Sequence, residues 1–160
     1  MSENLLEQLQ TYAAQSNSKV SVARKNETFI EVDQDHIKDF ISHIIKDLRI
    51  FHLATITGLD LGENIGIIYH FSRDKDTIYV RSTVPKAQST AVSIVDIIPG
   101  AILYEMEIHD LFGVTFRGNP WINQKLLLPD SWPVNLPPPL LKTSKPGEIR
   151  KRSQLEVERK

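Results

Sequence analysis

Apolar positions along this chain change period several times, and each change marks an element. Leu5, Leu6, Leu9, Tyr12 and Ala13 recur at helical spacing and predict an N-terminal helix, with Ser2 placed to cap it. Residues 19–24 then alternate, with Val20 and Val22 on one side; after the polar Lys25-Asn26-Glu27 turn, residues 28–32 alternate again. Two alternating runs joined by a short polar turn predict a hairpin. Asp33 or Asp35 is expected to cap a second helix, whose buried stripe is Ile37, Phe40, Ile41, Ile44, Ile45 and Leu48.

Three further strands are predicted over residues 51–57, 65–71 and 77–82. Residues 58–64, which begin at Gly58, read as a loop, and Arg73-Asp74-Lys75-Asp76 reads as a tight turn. Short turns imply antiparallel neighbours. Ser93-Ile94-Val95-Asp96 resembles a capping box with Asp in place of the usual Glu. Pro99 suits the first turn of a second helix segment after it, which runs to about Leu111 and stops at Gly113; residues 114–116 form a short strand. The order gives an α+β fold, a mainly antiparallel sheet with helices packed on it. Residues 1–132 form that domain. Residues 133–160, with Pro137-Pro138-Pro139 and a charged tail, form an extended partner-binding arm.

Composition narrows the chemistry. The 160 residues are 41% hydrophobic, enough for a core, and the formal net charge of −1 gives no general attraction to nucleic acid or anionic lipid. There is no cysteine, so disulfides, thiol nucleophiles and an all-thiolate zinc or iron–sulfur site are excluded from these residues. The start Met1-Ser2-Glu3-Asn4 is unlike a signal peptide, and no apolar run approaches a membrane span. An intracellular protein is expected, and if it works at a membrane something else holds it there.

The densest group of polar chemistry is Glu105-Met106-Glu107-Ile108-His109-Asp110. On a helix Glu107 and Asp110 share one face, and Glu105 and His109 another. Such carboxylates could do acid–base work or hold a metal, but the paired histidines of HExxH are missing. The plainer reading is a polar helix end whose carboxylates pair with arginines or backbone N–H groups. His36, His43, His52 and His70 lie apart in sequence; His52 and His70 stand on separate strands that could meet in the sheet. Phosphate-loop and nucleophile-elbow patterns are absent. The basic cluster Arg150-Lys151-Arg152, near Lys142 and Lys145, has no interleaved aromatic residue, and Glu148, Glu156 and Glu158 dilute its field.

The run EMEIHDLFGVTFRGNP resembles the signature of the 30-kDa subunit family of respiratory complex I, the NADH-quinone oxidoreductase. The matching positions are Glu105, Glu107, Asp110, Phe112, Gly113, Val114, Phe116, Gly118, Asn119 and Pro120. Leu126-Leu127-Leu128-Pro129-Asp130-Ser131-Trp132 is similar to the continuation of that signature, and Tyr69 and Ser93-Ile94-Val95-Asp96 also fall where the family has them. After Trp132 the chain departs: the family's H-P-L-R-K-D segment is replaced by Pro133-Val134-Asn135-Leu136-Pro137-Pro138-Pro139-Leu140-Leu141-Lys142. That departure resembles the related subunits of energy-converting membrane-bound hydrogenases and their ferredoxin-oxidising relatives.

The resemblance implies a cofactor-free structural subunit on the cytoplasmic arm of a complex I-like oxidoreductase, peripheral to the membrane and without an active site of its own. It would brace a large catalytic subunit and a small Fe–S subunit; the clusters, and a nickel–iron centre in the hydrogenases, belong to those partners. Glu105, Glu107, Asp110, Phe112, Gly113, Phe116, Gly118, Asn119 and Pro120 are then expected at the partner interface, with the acids serving assembly. The same role in an NADH-quinone dehydrogenase is the first alternative. A nucleic-acid-binding module acting through the basic tail is an alternative of another class.

Overall fold

The computed structural model describes residues 3–15, 18–133, 136–147 and 149–150. The Ser2 cap and the basic pair Lys151-Arg152 therefore lie outside the described residues. The elements run α1 (Glu3–Gln15), β1 (Lys19–Arg24), β2 (Glu27–Glu31), α2 (Ile37–Lys46), β3 (His52–Asp60), β4 (Asn64–Arg73) and β5 (Asp76–Pro85). A short 3₁₀ turn (Lys86–Gln88) leads to β6 (Thr90–Val92), α3 (Ala101–Phe112) and β7 (Thr115–Arg117).

The α+β class and the mainly antiparallel sheet hold. Strands β1-β2-β5-β4-β3 form the main sheet in that order, with the predicted hairpin at β1–β2. Its one parallel pairing joins β2 to β5, because α2 and the β3–β4 hairpin carry the chain back to the same edge before β5 begins. Strands β6 and β7 form a separate parallel pair that flanks α3 in sequence; β6 is too short for its pattern to announce it.

Alternate residues of the sheet and the stripe of α2 make one core. Ile30, Ile56, Tyr69, Phe71, Ile78 and Val80 meet Ile37, Phe40, Ile41 and Ile44, all buried. The opposite sheet face carries Phe29 stacked on Tyr79 (4.4 Å between centroids), with His70 edge-on to Tyr79 at 5.1 Å.

Four local expectations need correction. His36, not an aspartate, stands at the N-cap of α2, without a side-chain cap bond; the entry turn is closed by His36 N–H donating to the Asp33 carbonyl. Strand β3 runs on to Asp60, so Gly58 is inside a strand. A Cβ at Gly58 would lie 2.6 Å from Phe112 Cδ2, so this glycine serves close packing of α3 on β3 and not a turn. The Ser93–Asp96 run does not cap α3, which starts at Ala101; Asp96 instead pairs with Lys38 at 2.6 Å. His52 and His70 do not pair either: His52 sits opposite Ser72, and His70 opposite Thr55.

Helix α3 ends as expected at Gly113, whose φ of 77° is the left-handed conformation that glycine adopts without strain. The Pro-rich stretch then lies against this end. Leu140 N–H donates to the Leu111 carbonyl (3.0 Å), Leu136 is buried, and Pro138 Cγ would be 2.8 Å from a Cβ at Gly113. Asp60 fastens the far side: it takes the Lys142 N–H at 2.8 Å, the Gly62 N–H at 2.8 Å and the Lys86 ammonium at 2.6 Å.

Gly58→Ala should destabilise the fold by about 1–3 kcal/mol, because the added methyl must displace the Phe112 ring. Urea unfolding measures this. An unchanged midpoint would mean that α3 does not rest on β3 at Gly58.

Candidate docking site around helix α3

Helix α3 is gripped from two sides. At helical spacing Ala101, Glu105 and Ile108 fall on one side and Met106 and Asp110 on nearly the opposite one, and all five are buried. This explains why the single-face grouping fails: Glu107 is exposed, whereas Asp110, three residues on, is 1% exposed.

Glu105 is a hub of internal bonds. Its Oε2 accepts from Ser93 Oγ (2.8 Å) and Asn119 Nδ2 (3.0 Å), and its Oε1 accepts from the Ile94 N–H (2.8 Å). Burial pushes its carboxyl above the ordinary 4.5, only partly opposed by these three donors. Asn119 completes the joint by donating to the Ile102 carbonyl and accepting the Trp121 N–H. Tyr69 is wholly buried on the sheet side; burial first, and the Glu105 charge second, raise its phenol far above the ordinary value.

Asp110 is a second bracket. Its Oδ2 accepts the N–H groups of Leu126 (2.9 Å), Leu127 (2.8 Å) and Leu128 (3.1 Å), with Lys125 Nζ at 3.5 Å from Oδ1. Burial alone would raise this carboxyl, but the three N–H groups and the lysine outweigh it and hold it below its usual range. Such a carboxylate can carry a loop. It holds the backbone of residues 126–128 inward and leaves the Leu126 and Leu127 side chains in solvent.

The rest of the signature shapes this construction. Phe112 rests on Gly58, Phe116 is fully buried in β7, and Gly118 turns the chain at φ 105°. His109 Nδ1 meets the Val114 carbonyl at 2.9 Å across the Gly113 turn, and Pro120 is exposed. Of the expected interface residues, Glu107 and Pro120 thus present themselves outward, while Glu105, Asp110, Phe116 and Asn119 face inward within this chain. Sequence reasoning missed Ser93 as the partner of Glu105, Lys125, and the Asp60 clasp. Ser93 stands out for its motif, but nothing in its spacing points twelve residues ahead.

Residues 30–148 match the family described as respiratory-chain NADH dehydrogenase, 30 Kd subunit. The chain belongs to this family. It is 28% identical to an NADH-quinone oxidoreductase subunit of Saccharopolyspora erythraea over 127 residues, 74% of this chain and 50% of that protein. It is 27% identical to an F(420)H(2) dehydrogenase subunit of Methanosarcina mazei over 111 residues, 64% of this chain and 70% of that protein. The chain thus spans about half the length of the first of these relatives. Among solved structures, a chain of the membrane-bound sulfane sulfur reductase, an archaeal respiratory membrane complex, superposes with TM-score 0.81 and 25% identity, covering 95% of this chain and 91% of that one. The trypsin-resistant fragment of Nqo5 shares the fold, with TM-score 0.64 and 23% identity over 72% of this chain and 97% of the fragment. The chain is therefore a complex I-like subunit. Among its described residues no helix is long and apolar enough to cross a membrane.

The opposite shifts of the two acids give a pH test. Glu105 has its folded pKa above its unfolded one, so it binds more protons when folded and costs stability as pH rises from about 4.5 through the raised value. Asp110 has its folded pKa depressed, so its contribution is present above its ordinary value and is lost on further acidification. Glu105→Gln should cost about 1–3 kcal/mol at neutral pH, because in either orientation its amide nitrogen faces a donor, the Ile94 N–H on one side or Asn119 Nδ2 on the other. The variant should also lose the mild stabilisation that the parent gains on acidification towards pH 4.5. Chemical denaturation across pH measures both; an unaltered pH profile would mean that Glu105 titrates normally.

Proposed function

We propose that this chain is a docking subunit, with no redox centre of its own, in the cytoplasmic arm of a complex I-like membrane-bound oxidoreductase. It braces the large catalytic subunit against the small Fe–S subunit, and the assembly is of the energy-converting hydrogenase or ferredoxin-oxidising kind. The observation that carries the docking role is the surface built by the two acids. Five of the nine large apolar side chains exposed among the described residues belong to α3 or to the chain wound over it: Leu103, Trp121, Leu126, Leu127 and Leu140, 39–55% exposed. Exposed apolar side chains concentrated beside a rigid bracket favour a protein partner. Glu107, on the uncovered side of α3, is a charged contact beside them.

The near-complete mutual coverage with the sulfane sulfur reductase chain supports a relative outside the NADH-quinone group, as does the altered segment after Trp132. Bracing matters because electron transfer and catalysis between neighbouring subunits depend on fixed spacing, and small misplacements slow chemistry sharply.

The test is to purify the complex through this subunit from its own membranes. The large and Fe–S subunits should be recovered with it in equal amounts. Leu126→Ser/Leu127→Ser should fold normally yet lower incorporation at least about tenfold, as loss of central apolar contacts does, with turnover per intact particle unchanged. Recovery of the chain alone or with nucleic acid, or normal assembly of the double variant, would contradict the docking role.

A further inference from the structure

Beside the leucine bracket, at the C-terminal end of α3, lies a cavity of about 270 Å³. Its walls include His109, Asp110, Lys125, Leu128, Trp132 and Pro138. Asp110 is fully enclosed, and while its Oδ2 takes three N–H groups, its Oδ1 has no hydrogen-bond partner. An ionised carboxylate oxygen left in this way is costly, and buried acceptors are normally satisfied. Lys125 Nζ stands 3.5 Å away, outside hydrogen-bond reach, on a side chain one-third exposed and able to swing outward.

We propose that this cavity receives an arginine side chain of the partner subunit, whose guanidinium donates to Asp110 Oδ1 and lies flat against the wall of Leu128, Trp132 and Pro138. The proposal rests on the docking role and names what the partner contributes to it. Arginine fits where other donors do not. Its guanidinium donates in its own plane while its weakly hydrated face packs on aromatic and proline surfaces. Lys125 already meets Asp110 Oδ1 as an ion pair at 3.5 Å, a point charge that leaves this oxygen without a hydrogen bond. The volume accommodates one long side chain and falls below the usual range for small-molecule pockets. The insertion would also seat the partner directly beside the exposed Leu126 and Leu127.

The isolated chain tests this by NMR titration with N-acetyl-L-arginine amide, using N-acetyl-L-citrulline amide and N-acetyl-L-lysine amide as controls. Saturable shifts should appear at the amides of Leu126, Leu127 and Leu128 and at the Trp132 indole with the arginine compound. The citrulline and lysine compounds should bind at least tenfold more weakly. Asp110→Asn should weaken the arginine response about tenfold. Since that change could also loosen the loop, Trp132→Leu provides a second variant that keeps the bracket and should weaken it as well. No saturable response, an equal response to citrulline, or an arginine response that survives both variants would overturn the proposal. The titration needs no partner, so the two claims fail separately. A chain that binds arginine yet never copurifies with other subunits refutes docking alone, and one that assembles without any arginine response refutes the cavity alone.

Discussion

A carboxylate sealed inside a protein must find donors or lose its charge, and helix α3 carries two. Glu105 meets its need by gathering Ser93, Ile94 and Asn119, segments that lie before and after the helix in sequence. Asp110 meets its own by gathering residues 126–128. Between them, these acids tie both flanks of α3 into one unit, and the unit rests on the sheet through Phe112 over Gly58. Little regular structure follows α3, so the polar joints do for residues 119–128 what a hydrogen-bonded ladder does elsewhere.

This arrangement changes what the family signature means physically. Acids at a helix end can be taken as hooks for a neighbour, yet Glu105 and the Oδ2 of Asp110 direct their hydrogen bonds within the chain. By holding the backbone inward they turn Leu126 and Leu127 outward and leave Trp121 half-exposed beside the Asn119 turn. Under the proposed docking role, a partner would meet an apolar surface already held by hydrogen bonds, which lowers the entropy cost of association. Glu107 lies exposed on the open side of the helix.

Much of the fold was legible because its elements obey simple periods. The stripe of α2, the β1–β2 hairpin and the three middle strands follow from spacing, and Gly113 marks the end of α3 through its left-handed backbone. What escaped the sequence was non-local. The parallel pairing of β2 with β5 joins strands separated by a helix and a hairpin, which no local pattern encodes. Gly58 read as a turn residue because its reason for being glycine is a ring more than fifty residues away. The site was legible as a pattern of fixed residues, and its roles were not, since a carboxylate's donors cannot be read from its own neighbours. Helical spacing put Glu107 and Asp110 together; the second layer over α3 separated them.

Amide hydrogen exchange at Leu126, Leu127 and Leu128 in the isolated chain tests the central claim most directly. If Asp110 forms its bracket without help from a partner, these amides should exchange at least about 100-fold more slowly than in an unstructured peptide, despite the exposure of the Leu126 and Leu127 side chains. Exchange within a few-fold of the peptide rate would show that the bracket forms only on assembly, and that the signature acids wait for a neighbour.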